Sequence, residues 1–164
     1  MVAFGNRLVE PRTGKTVRTW HDPEVEAGAH VSGTAVVDFH PSGALLVTGG
    51  GTSDPTMKLW EVASGRLLYS IPLGGRSHVH PWFSPDGRYL AVTGNRTARL
   101  YELRGLDVQA LVAHQPHPIG AIDVARDERG LVTMSESNEF QYSTRVHLAL
   151  WDLTGRRPER EQLV

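Results

Sequence analysis

The residues with the widest chemical reach in this chain are its eight histidines. His78 and His80 sit at alternate positions, so on a strand their imidazoles share one face. His114 and His117 form a second close pair. A zinc ion takes three or four converging ligands, and a catalytic ion keeps one coordination position open. The prolines beside His80 and around His117 point to loop geometry instead, and no metal is expected. With no cysteine, a disulfide framework and any thiolate-ligated metal are excluded. Gly49-Gly-Gly-Thr-Ser53 lacks the lysine and the following helix of a phosphate loop. No Gly-x-Ser-x-Gly elbow anchors a hydrolase triad. Glu136 and Glu139 have no neighbour that would shift a carboxylate pKa for acid–base work. No catalytic residue and no cofactor follow from these patterns.

Charge and composition narrow the partners. Lys and Arg number 17 against 18 Asp and Glu, a net charge of -1, so no field of either sign draws in nucleic acid or an anionic membrane. The tail Arg156-Arg-Pro-Glu-Arg160 is offset by Glu159 and Glu161. No run approaches the roughly 18 apolar residues that a membrane helix needs. The expectation is neither nucleic-acid nor membrane binding and, with no cysteine, a reducing, cytoplasmic setting. The 17 glycines and 10 prolines fall between short β-branched and aromatic runs, as in chains of many short strands.

The elements that would position these residues come from a repeat. An alternating apolar run, a tight turn, a second apolar run, a loop and an aromatic–acid pair recur three times, ending in Met57-Lys-Leu-Trp-Glu-Val62, Ala98-Arg-Leu-Tyr-Glu-Leu103 and Val146-His-Leu-Ala-Leu-Trp-Asp-Leu153. Turn glycines follow each copy at Gly65, Gly105 and Gly155, with an earlier one at Gly14. A second series, Gly43, Gly87 and Gly130, keeps the same beat. A period near 40–45 residues with four short strands per unit is the signature of propeller blades. The pattern predicts strands at 34–39, 44–48, 56–61 and 66–71. The next set falls at 79–83, 88–93, 97–102 and 107–112, and the last at 119–124, 130–135, 146–151 and 160–164.

On these residues the chain resembles the WD40-repeat family over nearly its whole length. Trp60-Glu61 and Trp151-Asp152 match the name-giving pair, and Tyr101-Glu102 is a softened form. The resemblance implies an all-β fold, a β-propeller of four-stranded antiparallel blades. It also implies a buried network of histidine, strand hydroxyl, turn aspartate and tryptophan, for which the first complete blade supplies His30, Thr48, Asp54 and Trp60. Buried polar groups that satisfy one another fix strand register. In the second blade Gly74 and Asn95 stand at the histidine and aspartate positions. The third has His114 one residue out of step and Arg145 at the aspartate spacing.

Three blades are complete, at 30–71, 76–112 and 117–164. Residues 1–20 read as only the last two strands of another, Leu8–Glu10 and Gly14–Val17. Three and a half blades do not close a ring, since propellers use about 4–8. The expectation is a segment of a longer propeller within one single domain-like run, 1–164. Self-association is the other way to cover the ends.

Extra length collects on one rim, in His21–Ala29, Gly49–Pro55 and Glu136–Arg145, while His40-Pro-Ser-Gly43, Ser84-Pro-Asp-Gly87, Ala63-Ser-Gly65 and Leu153-Thr-Gly155 keep the other terse. Loops on a rigid scaffold carry binding. The expected function is a non-catalytic scaffold for a protein or peptide partner. Phe140 and Tyr142 are candidate anchors, or else caps on the third blade's edge. Arg76, His78, Arg96, Gln115 and His117 should line the same rim, with the arginines suited to an acidic or phosphorylated peptide. The alternative is a hydrolase-type propeller enzyme whose site on this rim is completed by blades outside the sequence.

Overall fold

The structure is a computed structural model, and the description covers residues other than 26, 27, 32, 77, 95, 96, 105, 106, 115–118, 125–129, 141, 142, 153–156 and 164. The regular structure of the described residues is all β and arranged in four antiparallel sheets. The first holds β1 (Val2–Phe4), β2 (Arg7–Val9) and β3 (Thr16–Thr19). The second runs β4 (Thr34–Phe39), β5 (Leu45–Gly50), β6 (Thr56–Glu61) and β7 (Leu67–Pro72) in sequence order. The third contains β8 (His80–Phe83), β9 (Tyr89–Gly94), β10 (Thr97–Arg104) and β11 (Asp107–His114). The fourth contains β12 (Ile119–Val124), β13 (Gly130–Phe140), β14 (Ser143–Asp152) and β15 (Arg157–Leu163). Each is a meander of sequential hairpins, which is the blade topology; the sheets do not close into a ring.

Two elements differ from the sequence reading. The N-terminal piece has three strands where two were expected, because Val2–Phe4 pairs with Arg7–Val9 across a tight turn. Within the stretch 136–145, read as a polar loop, residues 136–140 and 143–145 instead prolong β13 and β14. Glu136 pairs with Val146, Ser137 with Arg145, Asn138 with Thr144 and, past a register shift, Phe140 with Ser143. Ladder bonds are made by the backbone, so polar side chains on both strands are no obstacle to them.

Strand alternation decides which sheet each side chain meets. From the second sheet, Leu45, Val47, Met57 and Leu59 point one way and pack with Val79, just before β8, and with Leu90, Val92 and Tyr101 of the third. Leu46 and Trp60 point the other way, against Leu8 of the first sheet, Trp20 and Ala29. β5 is therefore buried along its whole length, which explains its continuous apolar run.

The terse rim also joins blades. In the Ser84–Gly87 turn the Gly87 carbonyl accepts a hydrogen bond from His40 Nε2 at 3.0 Å, while the Ser42 N–H donates to His40 Nδ1 at 3.1 Å. One step inward, the Asp38 carboxylate accepts from the Phe83 N–H of the next blade at 2.9 Å.

Candidate functional site

Above the second sheet, on the rim of long connections, lies a polar cluster within an otherwise apolar joint. Trp60 Nε1 donates to Thr48 Oγ1 at 2.9 Å. The Thr48 oxygen also lies 2.9 Å from His30 Nε2. An indole nitrogen only donates and the ionised Asp54 carboxylate on Nδ1 only accepts, so the threonine hydroxyl accepts from Trp60 and gives its own hydrogen to Nε2 of the neutral His30 ring. His30 then carries its proton on Nδ1 and donates to Asp54 Oδ2 at 3.1 Å. Asp54 further accepts from the Val31 N–H at 3.0 Å and from the Thr56 hydroxyl at 2.6 Å. Every donor in this chain meets an acceptor, which is the condition for burying it at low cost.

The cluster continues beyond the four residues singled out in the sequence. Lys58, 2 % exposed, points inward from β6 on the same side as Trp60. Its ammonium lies 2.6 Å from Asp22 Oδ2, donates to the Ala29 carbonyl at 2.7 Å, and stands 4.0 Å from Asp54 Oδ2. Burial pushes the His30 pKa down, only partly countered by the Asp54 charge, and the Lys58 charge adds to the lowering. His30 is thus neutral, and its contact with Asp54 is a hydrogen bond rather than an ion pair. Burial works against ionisation of Asp54 as well, yet the Thr56 hydroxyl, the Val31 N–H, His30 and Lys58 together hold its pKa below the ordinary value. For Asp22 burial is likewise outweighed, by the Lys58 ammonium and the Glu24 N–H, and the net shift is downward.

The glycine run beside the cluster has a packing role. A Cβ on Gly50 would run into the Asp54 carbonyl and His30 Nδ1, and one on Gly49 into the Val79 carbonyl and the Pro81 ring. The Val79 N–H donates to the Gly50 carbonyl at 3.0 Å. Glycine here lets the next blade approach the backbone of β5.

The other candidate residues are dispersed. Arg76 and His78 are exposed on the connection between β7 and β8. The ring of His78 is 6.4 Å from that of His80, which stacks on Trp82 at 5.9 Å. No group of three or more potential metal-ligating side chains occurs among the described residues. Phe140 ends β13. Arg96, Gln115, His117 and Tyr142 lie outside the described residues.

Lys58, Asp22 and Thr56 were missed by motif reading. A usable signal was present: Lys58 and Arg99 both stand two residues before the blade's aromatic, and Arg99 donates to the Pro72 carbonyl at 3.1 Å.

Comparison with known proteins agrees with the geometry. A profile of the WD domain, G-beta repeat, matches residues 14–61 and 76–102. The chain belongs to the WD40-repeat family. It is similar to eukaryotic translation initiation factor 3 subunit I of Pyricularia oryzae, 32% identical over 118 residues, which is 70% of this chain and 31% of the relative. The subunit of the same name from Phaeosphaeria nodorum is 36% identical over 92 residues, 56% of this chain and 25% of the relative. Target of rapamycin complex subunit wat1 of Schizosaccharomyces pombe is 27% identical over 119 residues, 71% of this chain and 35% of the relative. The WD40 chain thus spans about a third or less of the length of these relatives.

Proposed function

We propose that this WD40 segment is a non-catalytic scaffold that presents its long-connection rim to a protein or peptide partner in the cytoplasm. One observation carries the reading: the titratable groups that cluster in the first complete blade are spent on one another inside it. His30, Asp54, Asp22 and Lys58 are all buried, with their donors and acceptors engaged, while His21 and Glu24 on the connection beside them, and Arg76 and His78 on the next, are exposed. A buried, satisfied network makes a rigid platform, and exposed groups on rigid platforms bind. The names of the relatives, subunits of an initiation factor and of a target of rapamycin complex, support a role in assembly.

The end sheets support a second element of the proposal. Val2 and Val17 on the first sheet and Val132 on the fourth are large apolar side chains left exposed. Further blades of a longer chain, or failing those a second copy, would cover such faces. Molar mass in solution separates the two.

The experiment for function is affinity capture with the whole chain. A partner retained by the wild type and lost with Arg76→Glu/His78→Ala, or with Phe140→Ala/Tyr142→Ala, but kept by Arg12→Ala on the opposite rim, supports the scaffold. Turnover in a hydrolase screen, abolished by His78→Ala or His80→Ala, overturns it in favour of an enzyme.

A further inference from the structure

The strand cations Lys58 and Arg99 occupy the same place in successive blades. Leu46 pairs with Trp60 and Thr48 with Lys58; Leu90 pairs with Tyr101 and Val92 with Arg99. Each reaches back to a backbone carbonyl that precedes its blade, Lys58 to Ala29 on the connection between β3 and β4 and Arg99 to Pro72 at the end of β7. The span is 29 residues to Ala29 for Lys58 and 27 to Pro72 for Arg99. The third copy places Ala149 at this position, opposite Thr133.

We propose that this cation is a positioning residue for the backbone that precedes each blade, and that Lys58 fixes the shape of residues 20–25 and 28–31 through Asp22 and Ala29. The proposal deepens the rim-binding reading and rests on it for the functional consequence. The connection turns around Asp22. Its N–H donates to the Gly28 carbonyl at 3.0 Å, its carbonyl accepts from the Val25 N–H at 2.9 Å, and its Oδ1 accepts from the Glu24 N–H at 2.9 Å. Lys58 holds the Asp22 carboxylate and the Ala29 carbonyl with one ammonium, so it joins the two ends of that turn. His21, Pro23, Glu24 and Val31 remain on its exposed side, Val31 at 62 %.

The two clasps differ in strength. Lys58 is buried and paired with a carboxylate, where a charge-assisted bond is strongest. Arg99 is half-buried and its bond to Pro72 is to a neutral carbonyl. The connection into the first complete blade is therefore held more tightly by Lys58 than the end of β7 is by Arg99.

Hydrogen exchange read by mass spectrometry on the whole chain tests this. Asp22→Asn and Lys58→Met should each speed exchange in peptides covering 20–31 at least tenfold while leaving β9–β11 unchanged. Lys58→Arg should restore most of the protection, and Arg99→Met should act on 70–76 without touching 20–31. Where Lys58→Met does not fold, Asp22→Asn, which keeps the buried cation beside Asp54, still decides. Unchanged exchange at 20–31 in Asp22→Asn, or an equal rise in every sheet, overturns the clasp. Faster exchange at 20–31 with partner capture fully retained upholds the clasp and overturns the assignment of this connection to the binding rim.

Discussion

The Lys58 ammonium lies 2.6 Å from the Asp22 carboxylate, with both side chains almost wholly withdrawn from solvent. With Asp54 ionised and His30 neutral, the cluster holds one cation and two anions. Removing the cation leaves both carboxylates buried and uncompensated. Lys58→Met should therefore cost about 3–5 kcal/mol, read from the urea midpoint. Asp22→Asn should cost less, about 1–3 kcal/mol, because Lys58 keeps the Ala29 carbonyl and Asp54. The double variant should show a coupling of about 1–3 kcal/mol; additive losses would mean that the pair does not act as a unit.

Thr48 is the hinge of the hydrogen-bond chain, accepting from Trp60 and donating to His30. Thr48→Val keeps the shape but orphans a buried indole N–H and an imidazole nitrogen, each worth about 1–3 kcal/mol when unmade. Thr48→Ser retains the hydroxyl and loses only a methyl, about 1 kcal/mol. Equilibrium unfolding of the two variants side by side should give a clearly larger loss for valine. Equal losses would show that methyl packing, not the hydroxyl, matters at this position.

Stability should fall as the solution is acidified, in two stages. His30 has a lowered pKa in the folded chain, so the unfolded chain binds its proton first. Stability from this group is complete above the ordinary histidine pKa of about 6.5 and declines below it. Asp22 and Asp54 also have lowered values; their contribution is complete above the ordinary carboxylate pKa of about 3.9 and is lost as pH falls through the folded values. Thermal midpoints from pH 8 to pH 3 should be level at first and then drop. In His30→Gln the first decline should shrink. The other histidine with a lowered value, His80, is exposed, so replacing it by asparagine should reduce the first decline less than His30→Gln does.

The repeat was legible because it depends on spacing, and the network because the resemblance that the repeat carries implies it. His30, Thr48, Asp54 and Trp60 lie on different elements, yet the blade period fixes their separation along the chain. Lys58 and Asp22 were not legible in the same way. A cation alternating with apolar residues on a strand reads as a solvated face, and only the connection between β3 and β4, laid over β6 through Asp22 and Ala29, turns that face inward. The β13–β14 extension was missed because Glu136–Asn138 carries no apolar alternation, and its pairing is made by backbone groups that every residue has. β1 is three residues long, too short for any period to show.

Gly43 and Gly87 occupy equivalent turns with φ of 71° and 79°, so alanine at either carries the left-handed penalty of about 1–2 kcal/mol. Their surroundings differ. A Cβ on Gly43 meets open space, whereas one on Gly87 strikes the His40 imidazole, which also donates to the Gly87 carbonyl. Gly87→Ala should therefore cost about 1–3 kcal/mol more than Gly43→Ala, the usual range for overpacking. The excess belongs to the joint between blades and not to the turn. In a His40→Ala background the steric partner is gone, and the two glycine substitutions should converge in urea unfolding. If they remain apart there, His40 is not what distinguishes the two turns, and the contact across the terse rim does not couple the blades.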